Sequence, residues 1–204
     1  CIFFSSKQVY EIFNEQYKHI KCKAIWIPEA LQIDDYKFNA YHERNIDVLE
    51  FGRMYDEYHE LIKGALADQG KNHIFRTPDK YFLFADKPAF TQALASSKIV
   101  ICVPSNITNP ERSEYISSMT LRYLQAMASK CLIVGLLPTD MEELFGYNPI
   151  VAIDMPRADT QILEILENYA QYQPLIEKNY QAVIANHQWK NRWIIMKQKI
   201  EEMI

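Results

Sequence analysis

Two apolar stretches, Lys98-Ile99-Val100-Ile101-Cys102-Val103 and Cys131-Leu132-Ile133-Val134, decide how this chain folds. Neither alternates between apolar and polar residues, as a strand with one solvent-exposed face does. A continuous apolar run is typical of a strand buried on both faces of a parallel sheet. Between the two lie a polar loop over 105–115 and a helical pattern over about 117–129, so the segment predicts a strand, a crossover helix and a second parallel strand.

The same alternation continues on both sides of this unit. Further strands are predicted at 23–27, 46–51, 73–75, 81–84 and 150–153, and further helices at 53–68, 87–97, 141–145, 158–170, 174–186 and 189–204. Residues 28–45 have no clear periodicity and indicate a linker. The predicted fold class is α/β, with a Rossmann-like parallel sheet flanked by helices.

Composition narrows the functional classes. The 204 residues include 26 acidic and 22 basic side chains, which leaves no basic excess for a nucleic-acid partner. No apolar run approaches the roughly 20 residues that span a bilayer. The five glycines match neither the dinucleotide fingerprint nor the P-loop.

Cysteine and histidine patterns indicate neither disulfides nor a metal site. The four cysteines are Cys1, Cys22, Cys102 and Cys131. None forms a C-x-x-C pair, so we interpret them as thiols of a reducing, cytoplasmic compartment. The five histidines are His19, His42, His59, His73 and His187. They are scattered and lack the H-E-x-x-H spacing, so no metal ligands are predicted.

Open parallel sheets bind ligands at the carboxyl ends of their strands. By this rule, the sequence offers three candidate ligand-binding places: Gly52-Arg53, the loop after Val103 and the loop after Val134. At the first place, a glycine lets a ligand approach the backbone, and Arg53 can neutralise a phosphate. An equally good interpretation is that Arg53 lies at the start of a helix with its side chain in solvent and binds no ligand.

The junction Ser117-Ser118-Met119-Thr120-Leu121-Arg122 is the strongest candidate for binding phosphate. A helix N-terminus offers unpaired N–H groups and partial positive charge, and Arg122 adds a cation one turn later. In the simpler interpretations, Ser117 or Ser118 merely caps the helix and Arg122 is a surface residue. Asp140, Glu142 and Glu143 are predicted to favour the dipole of a later short helix.

Several of these motifs carry a family resemblance. Val103-Pro104-Ser105, the block Arg122-Tyr123-Leu124-Gln125-Ala126-Met127-Ala128 and Leu132-Ile133-Val134-Gly135 follow one another. Together they resemble the C-terminal, nucleotide-sugar-binding domain of GT-B glycosyltransferases of the group 1, family 4-like kind. Phe51-Gly52-Arg53 is similar to the strand–GR turn of that family, and Glu143-Leu144 to its later E-L pair. The resemblance covers about residues 45–204.

The resemblance implies a nucleotide-diphospho-sugar donor and no further cofactor. Arg53 and Arg122, with the amides of Ser118, Met119 and Thr120, would hold its diphosphate. The sequence departs from the family where a pair of glutamates is usual.

Ser117 and Gln125 occupy the positions of that pair. Gln125 can still bind ribose hydroxyls as a neutral group, whereas Ser117 is too short to reach the donor sugar. Tyr58, with His59 beside it, replaces the lysine usual after the GR arginine.

The resemblance also implies a domain division. Residues 1–45 resemble the end of an N-terminal domain and a linker, residues 46–186 form the donor-binding domain, and residues 187–204 a C-terminal helix. Most of an acceptor domain is missing, so the catalytic residues are unknown. The last helix either crosses back onto that domain or mediates a homodimer.

The expected function is sugar transfer to a glycan or lipid-linked acceptor, in a bacterial-type enzyme of cell-surface polysaccharide biosynthesis at the inner face of the membrane. The alternatives are a noncatalytic nucleotide-binding or interaction module of the same fold, and a receiver-like signalling domain built on Asp154. The base, the sugar, the acceptor and the stereochemistry stay open.

Overall fold

The computed structural model describes residues 1–77, 79 and 82–203. Its strands are β1 (Ile2–Phe4), β2 (Ala24–Trp26), β3 (Ile46–Leu49), β4 (His73–Ile74), β5 (Ser97–Cys102), β6 (Leu132–Gly135) and β7 (Val151–Ala152). Its helices are α1 (Lys7–Gln16), α2 (Asp56–Asp68), α3 (Lys87–Ala95), α4 (Ser105–Thr108), α5 (Pro110–Ser113), α6 (Leu121–Ala128), α7 (Met141–Phe145), α8 (Ala158–Glu167), α9 (Gln173–Asn186) and α10 (Trp189–Glu201).

The main sheet has five parallel strands in the order β4-β3-β5-β6-β7. The predicted α/β class with a Rossmann-like parallel sheet is therefore confirmed. Strands β1 and β2 form a separate parallel pair. The two sheets lie on either side of the predicted domain boundary at 45/46, which itself stays a prediction.

The central strand β5 explains why its sequence is apolar without interruption. Val100 and Cys102 face one hydrophobic core, while Ile99 and Ile101 face a second core on the opposite side of the sheet. The first core is closed by residues of α3, α6 and α9 and the second by residues of α2 and α8. All four side chains are buried, as a strand covered on both faces requires.

The end of β6 approaches β5 unusually closely. A Cβ placed on Gly135 would lie 1.7 Å from the carbonyl oxygen of Cys102. Gly135 pairs with Cys102 in the sheet register, so any side chain here would push the two strands apart. Glycine is therefore required by packing at the edge where the ligand-binding loops begin.

Arg44 is a structural residue that the sequence analysis missed. Its buried guanidinium donates to the carbonyl oxygens of Asn39 (3.1 Å), Ser97 (2.6 Å), Ser129 (3.1 Å) and Lys130 (2.8 Å). Ser97 begins β5, and Ser129 and Lys130 lie just before β6. Arg44 therefore ties the linker to the amino-terminal ends of both central strands.

The last helix, α10, contacts the segment that follows β2. Leu31 donates its N–H to the carbonyl of His187 (3.2 Å), and its own carbonyl accepts the N–H of Trp189 (3.2 Å). The buried Arg192 of α10 donates to the carbonyls of Pro28 (2.8 Å) and Glu29 (3.1 Å). The C-terminal helix thus returns to the N-terminal part of the chain. A helix able to cross a bilayer does not occur in the described part of the chain.

Several predicted elements differ from the structure. The predicted loop over 105–115 contains the short helices α4 and α5, and the prediction omitted β1 and α1. Of the strand predicted at 81–84, residue 81 lies outside the described residues, and residues 82–84 form no strand.

The helix predicted from 117 begins at Leu121, with Thr120 as its N-cap in extended backbone. It starts late because the N–H of Met119 donates to Asp140, which holds the preceding loop outside the helix. Thr120 therefore takes the N-cap position that the prediction gave to Ser117 or Ser118.

The thiols of Cys102 and Cys131 are buried and free, as predicted, and Cys1 and Cys22 are free as well. Burial raises the pKa of Cys102 to about 12 and that of Cys131 to about 11. Both therefore stay protonated and unreactive at neutral pH.

Candidate functional site

Three predicted loops meet at one segment, residues 117–122. Arg122, in the first turn of α6, donates to the carbonyl oxygens of Phe51 (3.1 Å) and Arg53 (2.7 Å) after β3. It also donates to the carbonyl of Val103 after β5 (3.3 Å). The loop after β6 reaches the same segment, where the hydroxyl of Thr139 donates to the carbonyl of Ser117 (2.6 Å).

The contacts of Arg122 give it a role that the sequence did not predict. A guanidinium has five N–H donors, and Arg122 uses three of them on backbone carbonyls. Its Nε–H and one Nη2–H have no hydrogen-bond partner among the residues that the structure describes. Arg122 therefore braces the turn after β3, with two donors left for a ligand.

Gly52 lies in that braced turn with φ at +74°, a conformation that glycine adopts without steric cost. The side chain of Arg122 packs on it, since a Cβ on Gly52 would lie 3.5 Å from Cδ of Arg122. That distance is an ordinary van der Waals contact, so the positive φ, and not a lack of space, favours glycine at this position. The next residue, Arg53, has an exposed side chain.

Residues 117–122, the predicted phosphate-binding segment, are here named the phosphate loop. Two of its backbone N–H groups already donate hydrogen bonds within the chain. The N–H of Ser117 donates to Oε1 of Gln8 (2.6 Å), and the N–H of Met119 donates to Oδ1 of Asp140 (2.8 Å). The Met119 amide, predicted to bind diphosphate, is therefore occupied. Thr120 has a buried hydroxyl oxygen without a partner in the described part of the chain.

Asp140 does more than complement a helix dipole. Its side chain is buried, and burial raises the pKa of its carboxyl above the ordinary value, although the Met119 amide opposes this. One carboxyl oxygen fixes the phosphate loop through Met119, and the other has no partner among the described residues. Asp140 thus holds the backbone of the loop in place through the Met119 amide.

The N-terminal helix α1 also reaches the phosphate loop. The hydroxyl of Ser118 donates to that of Ser6, the N-cap of α1 (2.5 Å). Lys7 forms an ion pair with Glu143 of α7. The start of α1 therefore contacts both the 117–122 segment and α7.

Gln125 faces the linker. Its Nε2 donates to the hydroxyl of Tyr36 (2.9 Å), and both side chains are partly buried. The predicted contact of Gln125 with a ribose is not tested by this geometry, but its amide already has one partner within the chain.

An open cavity of about 520 Å³ adjoins the Gly52–Arg53 turn. It is lined by phenylalanine rings and by cationic side chains, namely Phe51, Phe82, Phe84, Phe90, Arg53, Arg76 and Lys87, with Gly52, Leu83 and Asp86. The rings of Phe51 and Phe90 lie 4.9 Å apart and those of Phe84 and Phe90 5.5 Å apart. This cavity was not predicted from the sequence, where the residues 82–84 that line it were assigned to a strand.

The histidines are less scattered than the sequence analysis expected. Nδ1 of His59 and Nε2 of His73 both lie 2.8 Å from Oε1 of Glu50. Burial alone would raise the pKa of Glu50, but its bonds to the two imidazoles outweigh this and lower the pKa. The pairing of β4 with β3 and the packing of α2 bring together residues that are far apart in sequence.

Comparison with solved structures identifies the fold. The chain is similar to sucrose-phosphate synthase from Thermosynechococcus elongatus (TM-score 0.63, 12% identity, 100% of this chain and 58% of that one). It is also similar to the pneumococcal O-GlcNAc transferase GtfA, solved in complex with UDP and GlcNAc (TM-score 0.61, 12% identity, 98% and 44%). A third neighbour is WaaG, a glycosyltransferase involved in lipopolysaccharide biosynthesis (TM-score 0.57, 9% identity, 95% and 60%).

The chain therefore has the GT-B glycosyltransferase fold, and its five-stranded sheet matches the Rossmann-like domains of these enzymes. It spans 44–60% of the length of the three neighbours. No protein-family model and no curated protein matches the sequence.

Proposed function

We propose that this chain is the donor-binding part of a glycosyltransferase that takes its sugar from a nucleotide-diphospho-sugar. The observation that carries the proposal is the phenylalanine cavity next to Arg53, at the carboxyl edge of the sheet. A flat base can stack on the face of an aromatic ring in this cavity, and such stacking contributes about 1–3 kcal/mol per base. The diphosphate would then lie at Arg53, within reach of the two remaining donors of Arg122.

Such a site promotes transfer by stabilising the leaving diphosphate. Negative charge grows on the diphosphate as the bond from the sugar breaks, and fixed cations and amides lower the energy of that state. Arg53, Arg122 and the amide of Ser118 supply this charge. No metal ion is required for this step.

Acceptor and location belong to the same proposal. A glycan or a lipid-linked acceptor suits the named role of WaaG in lipopolysaccharide biosynthesis, and we place the reaction at the inner face of a bacterial membrane as part of the proposal. The acceptor-side groups would come from a domain beyond the fragment formed by β1, α1 and β2. The apolar side chains of α10, among which Trp193 is 64% exposed, would contact that domain or a second copy of the chain.

The proposal is tested by thermal melting of this chain with UDP, GDP, ADP, CMP and their sugar conjugates. A ligand at about 100 times its Kd adds about 2.7 kcal/mol, so one base should raise the midpoint by several degrees. Arg53→Ala should remove that shift. Arg157→Ala, which changes another exposed arginine, one paired with Glu164, should keep it. No shift with any nucleotide, in this chain and in a longer one, would refute the proposal.

A second function, a noncatalytic nucleotide-binding module, is favoured by one observation. The positions of the family's two glutamates hold Ser117 and Gln125, and each of these already bonds within the chain. Such a module would bind the nucleotide-sugar but would neither hydrolyse nor transfer the sugar. Release of free nucleoside diphosphate from the matching donor, measured over hours, separates the two functions.

A further inference from the structure

Glu50, His59 and His73 form a closed cluster, here named the Glu-His-His cluster. Glu50 directly follows β3, His59 lies in α2, and His73 begins β4. The side chains are only 3%, 4% and 6% exposed. Their candidate ligand atoms all lie within 4.8 Å of one another.

The donor set has the chemistry of a zinc site. Imidazole nitrogens and a carboxylate are common zinc ligands, and two histidines with one glutamate form a recurring three-residue set. His59 offers Nδ1 and His73 offers Nε2, and either ring nitrogen binds metal in its neutral form. Both already point at the same carboxylate oxygen of Glu50, at 2.8 Å.

An unpartnered atom of the cluster points to a cation. Oε2 of Glu50 is buried and has no hydrogen-bond partner among the described residues. A buried carboxylate needs a full set of partners. A divalent ion bound by both carboxylate oxygens would give Oε2 a partner and complete four ligand atoms with the two imidazoles.

One aromatic ring packs against both histidines of the donor set. The ring of Phe75 lies 4.5 Å from that of His59 and 4.7 Å from that of His73. Apolar groups beside a metal site limit the access of water to it. The cluster therefore resembles a closed structural site more than an open surface chelate.

We infer that the Glu-His-His cluster binds a zinc ion that ties β3, α2 and β4 together. Strand β4 has only two residues and lies at the edge of the sheet, so it gains little from backbone pairing alone. A metal bond through His73 would fix this edge. Through Glu50, it would also fix the chain just before the Gly52–Arg53 turn. This inference is independent of the proposed sugar transfer, and it differs from the expectation that the histidines provide no metal ligands.

The test measures zinc in the tag-free chain. The protein is incubated with zinc chloride, dialysed and analysed by mass spectrometry of the metal, with circular dichroism to check folding. We expect about one zinc ion per chain in the wild type and in His42→Ala, which changes an exposed histidine. Because loss of an outer-shell partner alone weakens metal binding about 10–100-fold, His59→Gln and His73→Gln should lose at least as much.

A second measurement needs no variant. In nitrogen-15 spectra of the wild-type imidazoles, added zinc should shift the signals of His59 and His73 and leave that of His42 unchanged. A wild type that retains no zinc, or equal zinc in His73→Gln and wild type, would overturn the inference. So would spectra in which the signals of His59 and His73 do not respond.

Discussion

Replacing Arg122 with alanine separates a bracing role from a ligand-binding role. In the structure, Arg122 holds the carbonyl oxygens of Phe51, Arg53 and Val103. If these bonds stabilise the fold, the variant must lose stability even when no nucleotide is present. If Arg122 serves only a ligand, the unliganded variant must be as stable as the wild type.

The expected magnitude follows from the exposure of the three bonds. A hydrogen bond from a charged donor contributes about 1.5–3 kcal/mol. The bond to the Arg53 carbonyl is exposed to solvent and adds little to the free energy of unfolding. The bond to the Val103 carbonyl is long, at 3.3 Å, and is therefore weak. We therefore expect Arg122→Ala to lower the free energy of unfolding by about 2–4 kcal/mol. At about 2–4 °C per kcal/mol for a chain of this size, a loss of 3 kcal/mol lowers the melting midpoint by roughly 6–12 °C.

Urea unfolding of the unliganded chain provides the measurement. Arg157→Ala is the matched control, since the side chain of Arg157 is 57% exposed and its guanidinium bonds only to a surface glutamate among the described residues. Its loss should therefore stay within about 0.5 kcal/mol. Arg122→Lys should recover less than half of the loss, because one ammonium cannot reach three carbonyls as a planar fork does. An Arg122→Ala variant as stable as Arg157→Ala would refute the bracing role.

Four further expectations concern stability and are measured by urea unfolding. Gly135→Ala should cost more than about 4 kcal/mol or prevent folding, because its Cβ would lie 1.7 Å from the Cys102 carbonyl oxygen. Gly64→Ala, in α2 with nothing within 4 Å, should instead stabilise by about 0.5–1 kcal/mol. Burial lowers the pKa of His187 to about 4. In the unfolded chain, His187 takes up a proton near pH 6.5, whereas in the folded chain it stays neutral down to about pH 4. Acid therefore favours the unfolded chain, and the free energy of unfolding falls as the pH drops from above 6.5 toward 4. The wild type should therefore lose about 2 kcal/mol more than His187→Asn between pH 7.5 and 5. Arg44→Met should cost at least about 3 kcal/mol, since four carbonyl oxygens lose a charged donor, two of them in buried bonds and two in partly buried ones.

Each of these expectations has an outcome that contradicts it. Equal stability of Gly135→Ala and Gly64→Ala would mean that β5 and β6 can separate without cost. Parallel pH profiles for the wild type and His187→Asn would exclude His187 as the titrating group. An Arg44→Met variant within about 0.5 kcal/mol of the wild type would show that the linker does not depend on that guanidinium.

The sequence predicted the sheet well because its signal is local. A run such as Ile99-Val100-Ile101 satisfies two cores at once, and only a doubly covered strand needs that pattern. The start of α6 was misplaced, because it depends on Asp140 capturing the Met119 amide, a contact between distant residues. No periodicity reports such a contact.

The sequence predicted where the residues of the candidate site lie better than it predicted what their side chains contact. Gly52, Arg53 and Arg122 do meet at one edge of the sheet, as the rule for parallel strands requires. The sequence motif could not show that Arg122 donates three hydrogen bonds to backbone carbonyl oxygens. It also could not pair His59 with His73, because their approach depends on the packing of α2 and on the register of β4.

The all-parallel order of the main sheet also bears on how quickly the chain reaches this structure. Parallel neighbours cannot be joined by a tight hairpin, so every pairing waits for a long intervening segment to close. Ile46 pairs with Ser97, and Ile99 pairs with Leu132. Folding rates fall as such non-local contacts come to dominate. We therefore expect slow refolding, in which β5 gains its first neighbour only after a crossover helix has formed, and during which its unpaired apolar edge can aggregate.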